Sequence, residues 1–290
     1  MRWQGGRESD NVEDRRGFGV PGGGFGIGGC GLVLIILISI LTGQNPLRLL
    51  ALLTQSQQTT QQAPTQQQYP GNDGQQQDDP QKKFIRVVLG STEDVWGGVF
   101  SQMNRTYEPP KLILFSDQVQ SACGLASSAS GPFYCPNDSQ VYLDLSFFEE
   151  LDQKFGAPGD FAQAYVVAHE VGHHVQNLLG IADKVHSMEE RGSQEQANAL
   201  SVRMELQADC LAGVWGYHAN QEKQMLEPGD VEEGLNAAAA VGDDHIQKMS
   251  GRAVSPESWT HGSSKMRVSW FQRGFQSGDI NSCDTFQGSL

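Results

Sequence analysis

The segment AHEVGHH, residues 168–174, places two histidines and a glutamate at the end of an apolar run. Residues four apart lie on the same face of an α-helix, so His169 and His173 can direct two imidazoles towards one ion. Glu170 adjoins the first histidine and reaches the same space. This is the HExxH pattern, in which the histidines bind zinc and the glutamate activates a zinc-bound water.

A catalytic zinc site needs a third protein ligand, with the fourth position left for water. The extended pattern HExxHxxGxx(H/D) is absent, because position 176 is Gln. Downstream, Glu205 and Asp209 stand four apart in the apolar surroundings of MELQADCL. Buried acids need a partner, and zinc would supply one. We therefore expect Glu205 to be the third zinc ligand.

Asp209, one helical turn after Glu205, is expected to accept a hydrogen bond from the far nitrogen of a zinc-bound histidine, His169 in our interpretation. The alternative for this acidic pair is an ordinary salt bridge to an arginine such as Arg203. The chain between the two motifs is long enough to reverse direction. An HExxH helix and an ExxxD helix facing each other would then hold the metal between them.

Capping patterns give the bounds of these two helices. Asp160 followed by Gln163 predicts the start of the HExxH helix, and Gly180 its end. A second capping box, Ser193–Gln196, opens the ExxxD helix. Gly172 costs a helix about 1 kcal/mol relative to Ala, so we expect close packing at that point.

Further elements complete an α+β fold in which a small β-sheet packs on helices. The sequence predicts helices over about 92–106 and 145–155. It predicts a strand at 112–115 and a β-hairpin over 133–145.

The chain of 290 residues has a net charge of −14 and no dense run of basic residues. A protein that binds nucleic acid needs a basic face to contact the phosphates. The composition therefore argues against nucleic acid as a partner.

Composition divides the chain into four parts. Residues 1–24 are charged and Gly-rich, and residues 25–43 are apolar enough to form a single transmembrane anchor. Residues 44–81 are rich in Gln and Pro and predict a disordered tether. Residues 82–290 form the remaining domain. A cleaved signal peptide or a buried core helix fits the apolar run less well, since no A-x-A cleavage site follows it.

Basic residues near the apolar run predict its orientation. Four arginines precede it, whereas only Arg48 follows it before Lys82. The positive-inside rule then places the N-terminus in the cytoplasm and the domain outside it. The four arginines are Arg2, Arg7, Arg15 and Arg16.

Four cysteines lie in the domain, where an extracytoplasmic location would let disulfides persist. They allow three pairings, of which we favour Cys123–Cys135 and Cys210–Cys283. Four buried free thiols are the alternative if the topology is different.

Sequence blocks along nearly the whole chain resemble one known family. HEVGH followed by ELQAD is similar to the gluzincin arrangement. The ordered blocks MRWQGGRESDNVEDRR, FYCPNDSQVYLDLSFF, AHEVGHHVQNLLG, MELQADCLAGVW, GDDHIQ and WTHGSSKMRVSWFQRG resemble the putative neutral zinc metallopeptidase family of bacterial membrane-anchored proteins. The resemblance implies a zinc metallopeptidase with one Zn²⁺ per chain, a peptide or protein substrate, and anchoring in the bacterial inner membrane with a periplasmic or extracytoplasmic catalytic domain.

Three further residues are candidates for the reaction itself. His261 in THGSS and His245 in GDDHIQ could stabilise the oxyanion, and either could equally be structural. Tyr142 and its strand neighbours could form a sheet edge that pairs with an extended peptide.

Hydrolysis of peptide bonds through a zinc-bound water activated by Glu170 is the predicted function. One alternative is a zinc amidohydrolase acting on a non-protein amide such as cell-wall peptide. Another is a non-catalytic envelope binding protein with structural zinc. Glu170 argues against the latter, because a purely structural zinc site needs no base.

Overall fold

A computed structural model describes residues 1–17 and 79–288, which form a mixed α+β fold. The strands are β1 (Val12–Asp14), β2 (Lys111–Phe115), β3 (Gln118–Ser121), β4 (Gly124–Ser127), β5 (Phe133–Cys135) and β6 (Gln140–Asp144). The helices are α1 (Pro80–Gln102), α2 (Ser146–Gln153), α3 (Asp160–Leu178), α4 (Ile181–Glu189), α5 (Gln194–Lys223), α6 (Asp230–Ala240), α7 (Asp243–Met249) and α8 (Ser264–Ser277). Short 3-10 turns lie at Ser128–Ser130, Pro256–Ser258 and Ile280–Cys283.

Four strands form the main sheet in the order β1-β2-β6-β5. β1 and β6 run parallel to β2, whereas β5 is antiparallel to β6 and lies at the edge. β3 and β4 form a separate antiparallel pair. The strand predicted at 112–115 and the hairpin predicted over 133–145 are both confirmed.

Helix α1 begins well before the position at which the sequence predicted it. Asp79 caps the helix, since its side chain accepts hydrogen bonds from backbone N–H groups of the first turn, and Pro80 follows at the first helical position. Thr92, where the predicted helix began, lies inside the helix. The Thr92 hydroxyl there donates to the Leu89 carbonyl oxygen at 2.7 Å. The predicted tether therefore ends before residue 81.

Helices α3 and α5 approach closely at the position that the sequence marked with a glycine. A Cβ on Gly172 would lie 3.0 Å from the Ala208 carbonyl oxygen, so only a glycine fits without displacing backbone. The expected close packing is confirmed. The contact sets the second half of α3 against the middle of α5, where the two sequence motifs lie.

Both favoured disulfides are present. Cys123 pairs with Cys135, and Cys210 pairs with Cys283. The second bond ties the middle of α5 to the chain that follows α8.

Residues 1–17, hereafter the N-terminal arm, belong to the same compact unit as the chain from residue 79 onward. The sequence had predicted a separate segment over 1–24. The predicted anchor, 25–43, and most of the predicted tether, 44–81, lie outside the described residues. Within the described ranges, no helix is both long and apolar enough to cross a bilayer.

Candidate metal centre

Three side chains from the two facing helices converge at one point. His169 Nε2 lies 3.2 Å from Glu205 Oε2, and His173 Nε2 lies 3.4 Å from Glu205 Oε1. One ligand atom from each of the three residues lies within 4.8 Å of the others. The structure thus brings together the three residues that the sequence predicted as ligands, two from α3 and one from α5.

The spacing of these atoms suits zinc. At the metal–ligand distances of zinc sites, neighbouring nitrogen and oxygen ligands of a tetrahedron lie about 3.3–3.5 Å apart. The two histidine–glutamate distances, 3.2 and 3.4 Å, are close to that spacing, and each runs to a different oxygen of the Glu205 carboxylate. Two imidazoles and one carboxylate also match the donor set of a catalytic zinc site that keeps one position open.

Each histidine is oriented by a hydrogen bond at its other ring nitrogen. His169 Nδ1 lies 2.9 Å from Asp209 Oδ1, the contact that the sequence predicted. His173 Nδ1 lies 2.9 Å from Gln176 Oε1. Since both acceptors are oxygen atoms, each Nδ1 carries the hydrogen and each Nε2 is left to face Glu205.

Asp209 is fully buried and sits at the centre of a charged network. Arg267, on α8, donates to it through Nε at 2.8 Å and through Nη2 at 2.9 Å. The Tyr165 hydroxyl donates to Asp209 Oδ1 at 2.5 Å. Arg203, the partner that the sequence suggested as an alternative, instead donates to carbonyl oxygens of the C-terminal segment.

The charges of this network shift the pKa values of His169 and Glu205. Burial would lower the pKa of His169, but the charge of Asp209 and hydrogen bonds to Asp209 and Glu205 outweigh burial and raise that pKa to about 10. Burial would raise the pKa of Glu205, yet hydrogen bonds to His169 and His173 hold it well below its usual range. The site therefore favours positive charge beside Glu205, which a divalent cation supplies in exchange for protons.

Glu170 lines the same cavity as the three candidate ligands and is 7% exposed. The cavity has a volume of about 690 Å³ and contains side chains from α2, α3, α5, α7 and the β5 region. Many of these side chains are apolar, among them Phe133, Phe147, Phe155, Val166 and Ile246. Glu170 is thus placed beside the ligands, in a space large enough for part of a substrate.

His261 lines this cavity, whereas His245 does not. His261 Nδ1 lies 3.2 Å from Asp243 Oδ1, and that hydrogen bond raises the pKa of His261 above its usual range despite the opposing effect of burial. The neighbour of His245, Ile246, faces the cavity instead. His245 is not among the side chains that line the cavity, so its proposed role in oxyanion stabilisation stays a prediction.

His174 follows His173 directly but takes part in a different set of contacts. Its Nε2 donates to the Glu108 carbonyl oxygen at 2.6 Å, and its Nδ1 accepts from the Tyr134 hydroxyl at 3.0 Å. Burial lowers the pKa of His174. A neutral His174 therefore ties α3 to β5, the strand that borders the cavity.

Three residues of the site were missed by the sequence analysis: Arg267, Tyr165 and Gln176. Gln176 is detectable in principle, because it lies one helical turn after His173 on the same face. Tyr165 likewise lies one turn before His169. Arg267 carries no local signal, since its partner Asp209 is 58 residues away in the sequence.

The fold and the site define a protein in which two histidines and a glutamate are placed to hold a metal ion, with Glu170 lining the same cavity. The chain belongs to the family described as putative neutral zinc metallopeptidase, whose model matches residues 1–286. That family implies zinc as the cofactor and peptides or proteins as the substrate class.

Relatives are found in two bacterial groups. The chain is 50% identical over 296 aligned residues to "Uncharacterized protein YpfJ" of Escherichia coli (strain K12), covering all of both chains. It is 46% identical over 217 residues to "Uncharacterized protein Rv2575" of Mycobacterium tuberculosis, covering 71% of this chain and 72% of that protein. No solved structure matches the chain.

Proposed function

We propose that the protein is a zinc-dependent metallopeptidase in which His169, His173 and Glu205 hold one zinc ion and Glu170 is the general base. The observation that carries this proposal is the convergence of three ligand atoms beside Glu170 in one cavity. The arrangement corresponds to the gluzincin ligand set, two histidines from HExxH and a glutamate from ExxxD.

Zinc at this point would supply a Lewis acid that polarises the scissile carbonyl and makes water a nucleophile at neutral pH. Glu170 accepts the proton of the attacking water and passes it to the leaving amine. His261, held by Asp243, donates a hydrogen bond to the oxyanion that develops on the carbonyl oxygen. Arg267 and Asp209 keep His169 in the tautomer that presents Nε2.

The edge of the sheet supplies a surface for an extended peptide. The sequence interpretation placed this edge at Tyr142, but Tyr142 lies in β6, between β2 and β5, so that assignment is wrong. On this side of the sheet the edge strand is β5, whose Phe133 and Tyr134 line the cavity. Pairing of the peptide backbone with β5 would place the scissile bond beside Glu170.

The proposed location of the catalytic domain is outside the cytoplasm, in a protein attached to the inner membrane through residues 25–43. Two disulfides support this location, because paired structural cysteines persist in oxidising compartments and are rare in the cytosol.

Replacing Glu205 by Ala tests the ligand set. Loss of a residue that only hydrogen-bonds to a ligand lowers zinc affinity by ~10–100-fold. Glu205→Ala removes a direct ligand, so its zinc affinity should fall by more than this. Zinc content and affinity are measured on the full-length protein in detergent, beside cleavage of a diverse peptide library. Glu195→Ala, an exposed position on the same helix, is the matched control and should behave as wild type.

Two results of that experiment would count against the proposal. Unchanged zinc affinity in Glu205→Ala would exclude Glu205 as a ligand. A wild-type protein that binds one zinc but leaves the whole peptide library intact would favour an amidohydrolase or a binding protein.

Replacing Asp243 by Asn should shift the alkaline limit of activity to lower pH. Asp243 raises the pKa of His261, so protonated His261 persists to higher pH in the wild type and is lost as pH rises through that pKa. Removing the charge of Asp243 lowers the pKa of His261, so protonated His261 is lost at a lower pH. The measurement is kcat/KM against pH, and an alkaline limit unchanged in Asp243→Asn would show that His261 does not act as a cation.

A further inference from the structure

The N-terminal arm is built into the catalytic domain at the level of the sheet. β1 pairs in parallel with β2, with Val12 opposite Leu112. At the two ends of this pairing, the Leu112 amide donates to the Asn11 carbonyl oxygen at 2.8 Å, and the Arg15 amide donates to the Leu114 carbonyl oxygen at 2.8 Å. The arm thus supplies the strand that covers one edge of β2.

The arm also packs along α1. Ser9 is fully buried, and its hydroxyl donates to Glu93 Oε1 at 2.5 Å. A Cβ on Gly90 would lie 2.5 Å from the Arg7 carbonyl oxygen, so the backbones of arm and helix are in direct contact. The Trp3 indole donates to Asp160, the first residue of the HExxH helix, at 3.1 Å. The arm therefore touches three elements of the domain.

Three of the four arginines that predicted the orientation pair with carboxylates of the domain. Each lies within ion-pair distance of a carboxylate of the same compact unit. Arg7 meets Asp94 at 2.7 Å, and Arg16 meets Asp79 at 2.7 Å. Arg2 lies near Glu227, whereas Arg15 pairs with Glu13 of the arm itself. A positive charge with a structural partner in the domain gives no independent information about which side of a membrane it occupies.

We propose that the N-terminal arm and the catalytic domain, residues 1–17 and 79–288, lie on the same side of the membrane. Backbone groups joined by hydrogen bonds of 2.8 Å cannot be separated by a hydrocarbon core about 30 Å thick. The predicted orientation places the arm in the cytoplasm and the domain outside, so a single crossing between them is incompatible with this packing. The two disulfides of the domain place the shared side outside the cytoplasm.

Cysteine labelling of the full-length chain tests this topology. Asp10 in the arm has a fully exposed side chain, and Glu190 after α4 is 66% exposed. Asp10→Cys and Glu190→Cys, each made in a Cys30→Ser background, are treated with a membrane-impermeant maleimide in intact and permeabilised bacterial spheroplasts. We expect both positions to be labelled to the same extent in intact spheroplasts.

The possible labelling patterns separate the parts of the proposal. Labelling of Glu190→Cys in intact spheroplasts, with Asp10→Cys labelled only after permeabilisation, would overturn it. Protection of both positions until permeabilisation would keep arm and domain together but overturn their placement outside the cytoplasm.

A matched pair of glycine substitutions on α1 tests the packing independently. Alanine stabilises a helix relative to glycine, and a Cβ on Gly97 meets no atom within 4 Å, so Gly97→Ala should raise the Tm by about 2–4 °C. Gly90→Ala should instead lower the Tm by several degrees, because its Cβ displaces the arm backbone. Thermal unfolding of both variants is measured on the full-length protein. An equal rise in Tm for both would show that the arm does not occupy this surface.

Discussion

Replacing Glu170 by Gln is expected to lower kcat/KM by about 10²–10⁴-fold while leaving the zinc content unchanged. Gln has the same shape but cannot accept the proton of the attacking water. Glu170 is not one of the three converging ligand residues, so zinc should remain bound. The loss corresponds to about 2.7–5.4 kcal/mol of transition-state stabilisation at 1.36 kcal/mol per tenfold change. The measurements are peptide hydrolysis and metal analysis on the same samples.

The same substitution at another carboxylate of the cavity is the control. Glu150, on α2, lines the cavity but pairs with Lys154 at 2.6 Å and is half exposed. Glu150→Gln should therefore change kcat/KM by less than tenfold. Equal losses for Glu150→Gln and Glu170→Gln would indicate a general effect of cavity charge and would contradict a specific role for Glu170 as base.

The convergence of His169, His173 and Glu205 was predictable because its signals are local. His169 and His173 lie one helical turn apart, as do Glu205 and Asp209, and the period of the α-helix determines which side chains share a face. We predicted that the two helices face each other because Glu205 and Asp209, two acids in apolar surroundings, need a partner. Close packing at Gly172 was predictable on the same grounds.

Features that depend on contacts between distant segments were predicted less well. The hydrogen bond between His169 and Asp209 was predicted, but Arg203 was named as the alternative partner of this carboxylate, whereas Arg267 is the arginine that contacts it. The order of strands is likewise a tertiary property, so Tyr142 was placed at an edge when its strand lies inside the sheet. The sequence also could not show which residue of a short helix lines the cavity, which here is Ile246 and not His245.

The N-terminal arm shows how one strong signal can conceal another. The apolar run at 25–43 dominates the composition of that region, so the charged residues before it were interpreted as a topological signal. Three residues of β1 are too few to give a strand pattern. Only the pairing of β1 with β2 reveals that the arm contributes to the fold of the domain.

Replacing Arg267 by Met is expected to lower the free energy of unfolding by about 3–5 kcal/mol, because it leaves the buried Asp209 carboxylate without its cationic partner. Burial raises the pKa of Asp209, but the charge of Arg267 lowers it by more, so the pKa lies below its usual range. The stabilisation from this pair is therefore present above the pKa of an unfolded aspartate, about 3.9, and is lost as pH falls below it. Chemical unfolding at pH 7 measures the change.

A double-mutant cycle isolates the pair from the rest of the network. Asp209→Asn removes the charge that Arg267 compensates, so the loss caused by Arg267→Met should be smaller in the Asp209→Asn background by about 0.5–3 kcal/mol. Arg273→Met is the control, because Arg273 lies on the same helix, is exposed and stacks over Trp270. Its effect should stay within about 0.5 kcal/mol. Strictly additive losses for Arg267 and Asp209 would show that the two residues stabilise the protein independently.

The zinc affinity should also depend on the Arg267–Asp209 pair, because Asp209 orients the candidate ligand His169. Asp209 accepts from His169 Nδ1 at 2.9 Å and is itself held in place by Arg267, so Arg267→Met frees the carboxylate that orients the ligand. Loss of such an outer partner lowers metal affinity by about 10–100-fold. Arg267→Lys keeps the charge but loses the bidentate contact with Asp209, so its zinc affinity should fall between that of Arg267→Met and that of the wild type. Wild-type zinc affinity in a folded Arg267→Met variant would mean that Asp209 orients His169 without help from α8.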